Sequence, residues 1–234
     1  MDRPPQLPAD TQTIVWDLDG TLLDSFGIYR DCLNETLLKH SRPAIQEQIF
    51  RNNHHGFIED SIAAVLREAG QVATSTELAA IIKDFYVLDN AYIANVDQHL
   101  FEDALDLATR AHEAGLRQIV VTNRPHGTDR GNGSPRNLVA NSRLHSVISD
   151  ILCGDDSAHR KPYRQFLEAR FGPELSGLGK VAVIGDQFVD AEFAHNIGCD
   201  AILVARTEKI PHLESLENWQ NYVQIVTSLR EVTV

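Results

Sequence analysis

The stretch Thr13-Ile14-Val15-Trp16-Asp17-Leu18-Asp19-Gly20-Thr21-Leu22-Leu23-Asp24-Ser25 decides how the rest of the chain is read. Its first four residues are apolar or β-branched and run without a charge into Asp17. Such a run suits a strand covered on both faces, as in a parallel sheet. Two carboxylates then stand two residues apart, and Gly20 supplies the backbone freedom for a sharp turn at the strand end.

Four further β-rich runs lie downstream, at 118–122 (QIVVT), 147–152 (VISDIL), 181–184 (VAVI) and 201–205 (AILVA). Amphipathic stretches at 102–114, 135–144, 164–171 and 191–196 separate or follow them. Strands alternating with helices predict an α/β fold, a doubly wound, Rossmann-like parallel sheet. Gly115 is placed to end the first of these helices, and Ser134-Pro135 reads as an N-cap with a first-turn proline. Between 24 and 97 the alternation stops. Helical patterns at 26–39, 44–51, 58–68 and 77–93 follow one another, with Gly56 and Gly70 between them. The expected organisation is therefore a core of residues 12–23 and 98–234, an inserted all-helical cap of 24–97, and a Pro-rich, poorly ordered tail over 1–11.

Bulk composition narrows the class. The chain has 234 residues, 43% apolar, enough for one core and a smaller insertion. Its 33 acidic residues against 21 basic give a net charge of -12, with no basic run. That argues against duplex nucleic acid and anionic membrane as main partners. A small phosphorylated metabolite still fits, since a local cation site overcomes a screened distant field. Cys32, Cys153 and Cys199 are far apart with no CxxC spacing, which reads as reduced thiols in a cytoplasmic protein. No apolar run has the length of a membrane span, and the start lacks a hydrophobic signal core. Monomer and homodimer both fit the sequence.

Ligands of doubly wound sheets bind at the carboxyl ends of strands. Those ends carry Asp17, Asp19, Gly20 and Thr21 after the first run, Thr122 and Asn123 after the second, and Gly185, Asp186 and Asp190 after the fourth, while Lys161 follows the third. Carboxylates crowded in this way repel unless a cation separates them. An all-oxygen donor set without a His/Cys cluster favours Mg2+. Lys161 adds positive charge and Thr122 a hydroxyl donor. Phosphoryl transfer needs these parts, with one aspartate free to attack phosphorus and the other to move a proton. A calcium loop fails on spacing, because Gly20 comes too early. A solvated acidic loop is the bland alternative.

TIVWDLDGTLLDS (13–25), VVTNR (120–124), RKP (160–162) and GDQFVD (185–190) resemble, in order, the four motifs of the haloacid-dehalogenase superfamily. The helical insertion after the first resembles the C1 cap of phosphoglycolate-phosphatase-like and β-phosphoglucomutase-like members. The resemblance implies Asp17 as the nucleophile that forms an aspartyl-phosphate. It implies Asp19 as general acid/base, with its backbone carbonyl on the metal. Thr122 would hold a phosphate oxygen, with Asn123 adding a backbone contact. Lys161 would stabilise the nucleophile, and Asp17, Asp186 and Asp190 would complete the Mg2+ site. Family dehalogenases and phosphonatases lack an aspartate at the position of Asp19, and the cap lysines Lys39 and Lys83 are not near the expected substrate loop. The implied function is a Mg2+-dependent phosphomonoester hydrolase. A phosphomutase, or a non-catalytic binding protein on the same fold, is the alternative.

Two segments bear on the substrate. Arg51, His54, His55 and Gly56 lie between two cap helices, where similar proteins place a loop that closes over the active site. A solvated helix–helix turn is the other reading. The 124–133 segment either lines the cleft through Arg124 or Arg130, or forms a surface loop. Trp16 reads as core, and Asp155 and Asp156 as solvated.

Overall fold

In the computed structural model, which describes residues 5–53, 58–127, 133–206 and 222–234, the run into Asp17 forms strand β1 (Thr13–Trp16). It is an interior strand of a six-stranded sheet. The others are β2 (Arg117–Val121), β3 (Asp150–Leu152), β4 (Val181–Gly185), β5 (Asp200–Val204) and β6 (Val223–Val226), in spatial order β3-β2-β1-β4-β5-β6. Every pairing is parallel, with Val15 opposite Ile119 on one side and Val183 on the other. The order reverses at β1, flanked by β2 and β4, and this is the switch point where such sheets bind ligands.

The chain divides into two compact units. One spans Met1–Asp24, Leu100–Asp129 and Ser134–Val234 and contains the sheet; the other spans Ser25–His99 and Arg130–Gly133. In the sheet unit, helices α5 (Glu102–Glu113), α6 (Pro135–Ala140), α7 (Gln165–Phe171) and α8 (Phe188–Ile197) occur among the connections. Val15, Ile119, Val121 and Val183 pack with Phe166, Phe193 and Ala194 in one buried cluster. Trp16 is fully buried, as read from the sequence. Its Nε1 donates to Gln118 Oε1 at 2.9 Å, and Gln118 Nε2 donates to the Ala108 carbonyl at 2.8 Å. Each polar atom named in this chain thus has a partner, which burial demands.

The second unit carries α1 (Ser25–Lys39), α2 (Glu47–Asn53), α3 (Ile58–Glu68) and α4 (Ser75–Ile93). Its interior centres on Tyr29, with Phe50 at 5.6 Å and Phe85 at 5.7 Å between ring centroids, both edge-on. This arrangement suits the aromatic quadrupole.

Several local expectations change. The tail expected over 1–11 is held from Pro5 onward. Leu7 is buried and its N–H donates to the Thr233 carbonyl at 2.9 Å, while Thr233 donates to Pro5 at 3.1 Å. A pairing between the two ends of the chain leaves no local signal. The helix expected over 135–144 stops at Ala140, because Ser142 caps a new 3-10 turn, Arg143–Ser146, by accepting from Leu144 N. That turn also shortens the third strand to Asp150–Leu152. Strand β6 was not expected. It is an edge strand with Ile225 exposed, so it lacks the continuous apolar reading of the other strands.

Candidate active site

The carboxyl ends of β1 and β4 place three carboxylates together. Oxygens of Asp17, Asp186 and Asp190 lie within 4.8 Å of one another. Lys161 reaches them from the chain after β3. Its Nζ donates to Asp17 Oδ1 at 2.6 Å and to Asp190 Oδ1 at 2.7 Å. Asp17, Lys161 and Asp190 are all buried.

Local geometry explains why these residues stand where they do. Lys161 is fixed by Asn123, whose Oδ1 accepts from the Lys161 N–H at 2.9 Å and whose Nδ2 donates to the Lys161 carbonyl at 3.1 Å. Asp190 lies in the first turn of α8, and its Oδ2 accepts from Gln187 N at 3.1 Å. Both its oxygens are therefore engaged. Asp186 Oδ1 accepts from the Thr21 hydroxyl at 3.2 Å. Two glycines make room for carboxylates. A Cβ on Gly20, which has φ +82°, would lie 2.3 Å from Asp186 Oδ2, and one on Gly185 would lie 2.3 Å from Asp190 Cγ.

Asp19 departs from this cluster. Its carboxylate is gripped by Arg124, with Nε donating to Oδ2 at 3.0 Å and Nη2 donating to Oδ1. Asp17 and Asp19 thus meet different cations. The resemblance assigned Asp19 to the metal through its main-chain oxygen, and its side chain is not among the clustered donors. Thr122 is buried, and its Oγ1 accepts from the Arg124 N–H at 3.1 Å.

Burial governs the electrostatics. It pushes the Asp17 carboxyl up to about 7; Lys161 opposes this, while Asp190 and Asp19 add to it. Burial, with Asp17 and Asp190 nearby, holds Asp186 well above the usual carboxylate range. Burial alone would lower the Lys161 ammonium, but Asp17 and Asp190 outweigh it and raise the group above its ordinary value. Three clustered carboxylates face one ammonium, so full ionisation leaves two negative charges uncompensated. That deficit and the all-oxygen donors fit a divalent cation held chiefly by Asp17 and Asp186.

Arg51, in α2, pairs with Glu47 through Nε at 2.9 Å and lies over the Phe26 ring at 4.5 Å. His54, His55 and Gly56 lie outside the described residues, as does Arg130. Asp155 and Asp156 are exposed, as expected, and also anchor loops: Asp155 accepts from His126 N and Gly127 N, and Asp156 from Cys153 N. Arg206 escaped sequence reasoning as a part of this rim. Thr21 stands inside the opening stretch and was legible there. Arg206 had no signal.

A parallel α/β sheet with acidic side chains and one lysine at its switch point defines a hydrolase-type centre able to hold a metal and an anion. The family model for haloacid dehalogenase-like hydrolases matches residues 11–198, and the chain belongs to that family. It is 25% identical over 227 residues to a phosphoglycolate phosphatase of Haemophilus influenzae, covering 92% of this chain and 97% of that one. The structure resembles that of a predicted phosphoglycolate phosphatase from Haemophilus somnus, with a TM-score of 0.72, 20% identity, and coverage of 94% and 95%. It also resembles the HAD-hydrolase YfnB from Bacillus subtilis bound to magnesium, with a TM-score of 0.69, 17% identity, and coverage of 94% and 96%.

Proposed function

We propose that this chain is a Mg2+-dependent phosphatase that hydrolyses a small phosphomonoester through an aspartyl-phosphate on Asp17. The observation that carries the reading is Lys161 Nζ bridging Asp17 and Asp190 with Asp186 alongside. The kinship with phosphoglycolate phosphatases favours a small acidic phosphomonoester such as phosphoglycolate.

Asp17 attacks phosphorus with one carboxylate oxygen, and the bond from phosphorus to the leaving oxygen breaks. Asp19 gives its proton to that oxygen, so the product leaves as a neutral alcohol. Water then attacks the phosphoryl group on Asp17. Asp19 takes the proton from that water, the bond from phosphorus to Asp17 breaks, and phosphate departs. Arg124 orients Asp19 between these two transfers. Lys161 favours the ionised form of the buried Asp17 and offsets charge on the transferring group. The Thr122 hydroxyl donates to a phosphate oxygen. Asp17, Asp186 and the Asp19 carbonyl would hold Mg2+, which when bound would supply charge neutralisation. Asp190 acts through Lys161.

Phosphate release from a panel of phosphorylated metabolites that includes phosphoglycolate, with Mg2+ and with EDTA, tests this. Turnover that needs Mg2+ and disappears in Asp17→Asn is expected. Undiminished turnover in Asp17→Asn, or in EDTA, defeats the mechanism; return of phosphate to a sugar instead of water would mark a mutase.

A further inference from the structure

Arg206 follows β5 and lies beyond the residues that match the family model. Its guanidinium spends its donors in two directions. Nη1 donates to both Asp103 oxygens at 2.8 Å. Nη2 donates to the Thr21 carbonyl at 3.0 Å and Nε to the Gly20 carbonyl at 3.4 Å. The guanidinium also lies over the Phe101 ring, 3.9 Å from its centroid. Asp103, in the first turn of α5, is held in turn by the Ser228 hydroxyl at 3.0 Å and Leu229 N at 2.9 Å. The C-terminal segment, the start of α5 and the exit of β5 therefore converge on one arginine, and that arginine grips the turn after Asp19.

The same turn touches Asp186. The Thr21 hydroxyl donates to Asp186 Oδ1, and the carboxylate lies so close to Gly20 that no Cβ fits between them. A shift of this turn therefore moves Asp186. We infer that Arg206 is a positioning residue for Asp186, acting through the Gly20-Thr21 turn, so that the C-terminal segment tunes the affinity of the site for its divalent cation. This rests on the phosphatase reading above for the identity of the cation. An arginine suits the task because its planar fork has fixed directions, so carbonyls and a carboxylate are held in one geometry. Groups around a metal ligand set its orientation, and losing one typically weakens metal binding roughly 10- to 100-fold.

The test is calorimetric titration of Mg2+ into the full chain, beside turnover of p-nitrophenyl phosphate and thermal unfolding without metal. Arg206→Gln is expected to bind Mg2+ roughly 10-fold more weakly, with the half-activating Mg2+ concentration rising in parallel. KM for substrate at saturating Mg2+ should stay unchanged. Arg206→Lys recovers part of the affinity, and Asp103→Asn shifts it in the same direction by less. Adding Thr21→Val to Arg206→Gln gives less than the product of the two single effects, since both act on one contact. If Arg206→Gln does not fold, Asp103→Asn decides the matter alone. Wild-type Mg2+ affinity in folded Arg206→Gln, or in Asp103→Asn, with only the melting temperature lowered, overturns the inference. Wild-type chain that binds Mg2+ but hydrolyses no phosphomonoester defeats the phosphatase reading, while the affinity comparison still judges Arg206. Wild-type chain that binds no Mg2+ overturns both.

Discussion

Asp17 and Asp19 are chemically alike and two residues apart, yet burial and partners give them different surroundings. Asp17 is sealed against the Lys161 ammonium, where a carboxylate can be kept charged and aimed. Asp19 keeps greater exposure, its side chain 28% accessible, and is oriented by Arg124. The proton transfer proposed for Asp19 needs a carboxyl that the leaving group and water can reach. Asp19→Ala is expected to lower kcat roughly 10²- to 10⁴-fold, the usual scale for a general acid/base, with the fold retained. Steady-state kinetics on p-nitrophenyl phosphate measure it, and an unchanged kcat removes Asp19 from proton transfer. Asn123 shows what the residue scale adds to the sequence. It was expected to offer its backbone to phosphate, and its side chain has a separate task, bonding both backbone groups of Lys161.

At the scale of elements, the rim residues depend on where strands and helices stop. Helix α6 begins at Ser134-Pro135, as its residue types foretold: the Ser134 hydroxyl accepts from Asn137 N, and proline takes the first turn. Ser134 Oγ also lies 2.8 Å from His126 Nδ1, so one capping residue ties the helix to the loop that follows β2. Ser134→Ala is expected to cost about 1 kcal/mol, the ordinary value for a lost N-cap. Urea unfolding should show a lower midpoint with an unchanged slope; an unchanged midpoint would mean that the cap contributes nothing. Helix α8 starts earlier than its apolar pattern suggested, at Phe188 rather than 191, because Asp190 turns back to the Gln187 N–H. The acidic residue that reads as a loop is in fact part of the helix start, where negative charge is favoured.

Across the whole molecule, segments remote in sequence are joined by a few partly buried polar contacts. Asp103 joins α5, Arg206 and the Ser228-Leu229 turn. Its burial works against ionisation, but the Leu229 N–H, Arg206 and Ser228 outweigh it and hold its pKa below the usual range. A depressed folded pKa means stability that is present above the unfolded value of about 3.9 and lost as pH falls through the folded one. Asp103→Asn is therefore expected to be less stable than wild type at pH 7, with the gap narrowing as the solution is acidified toward pH 3. Paired urea melts at the two pH values measure it. A gap that stays constant would show that the charge on Asp103 is not what stabilises the junction.

The alternation of apolar runs and amphipathic stretches made the parallel sheet and the helical insertion readable, because strand and helix periodicity are local properties of the chain. The same reading put Asp17, Lys161, Asp186 and Asp190 on one rim, since a strand's carboxyl end is known once its direction is. What the chain alone did not disclose are contacts whose partners lie far away along it. Leu7 against Thr233, Asp19 against Arg124, and Arg206 against Asp103 and Thr21 each depend on packing that closes long loops. No local pattern encodes such a pairing, because its geometry exists only after the sheet has assembled. The residue types supplied the chemistry of the rim, and the folded core decided which cation each carboxylate meets.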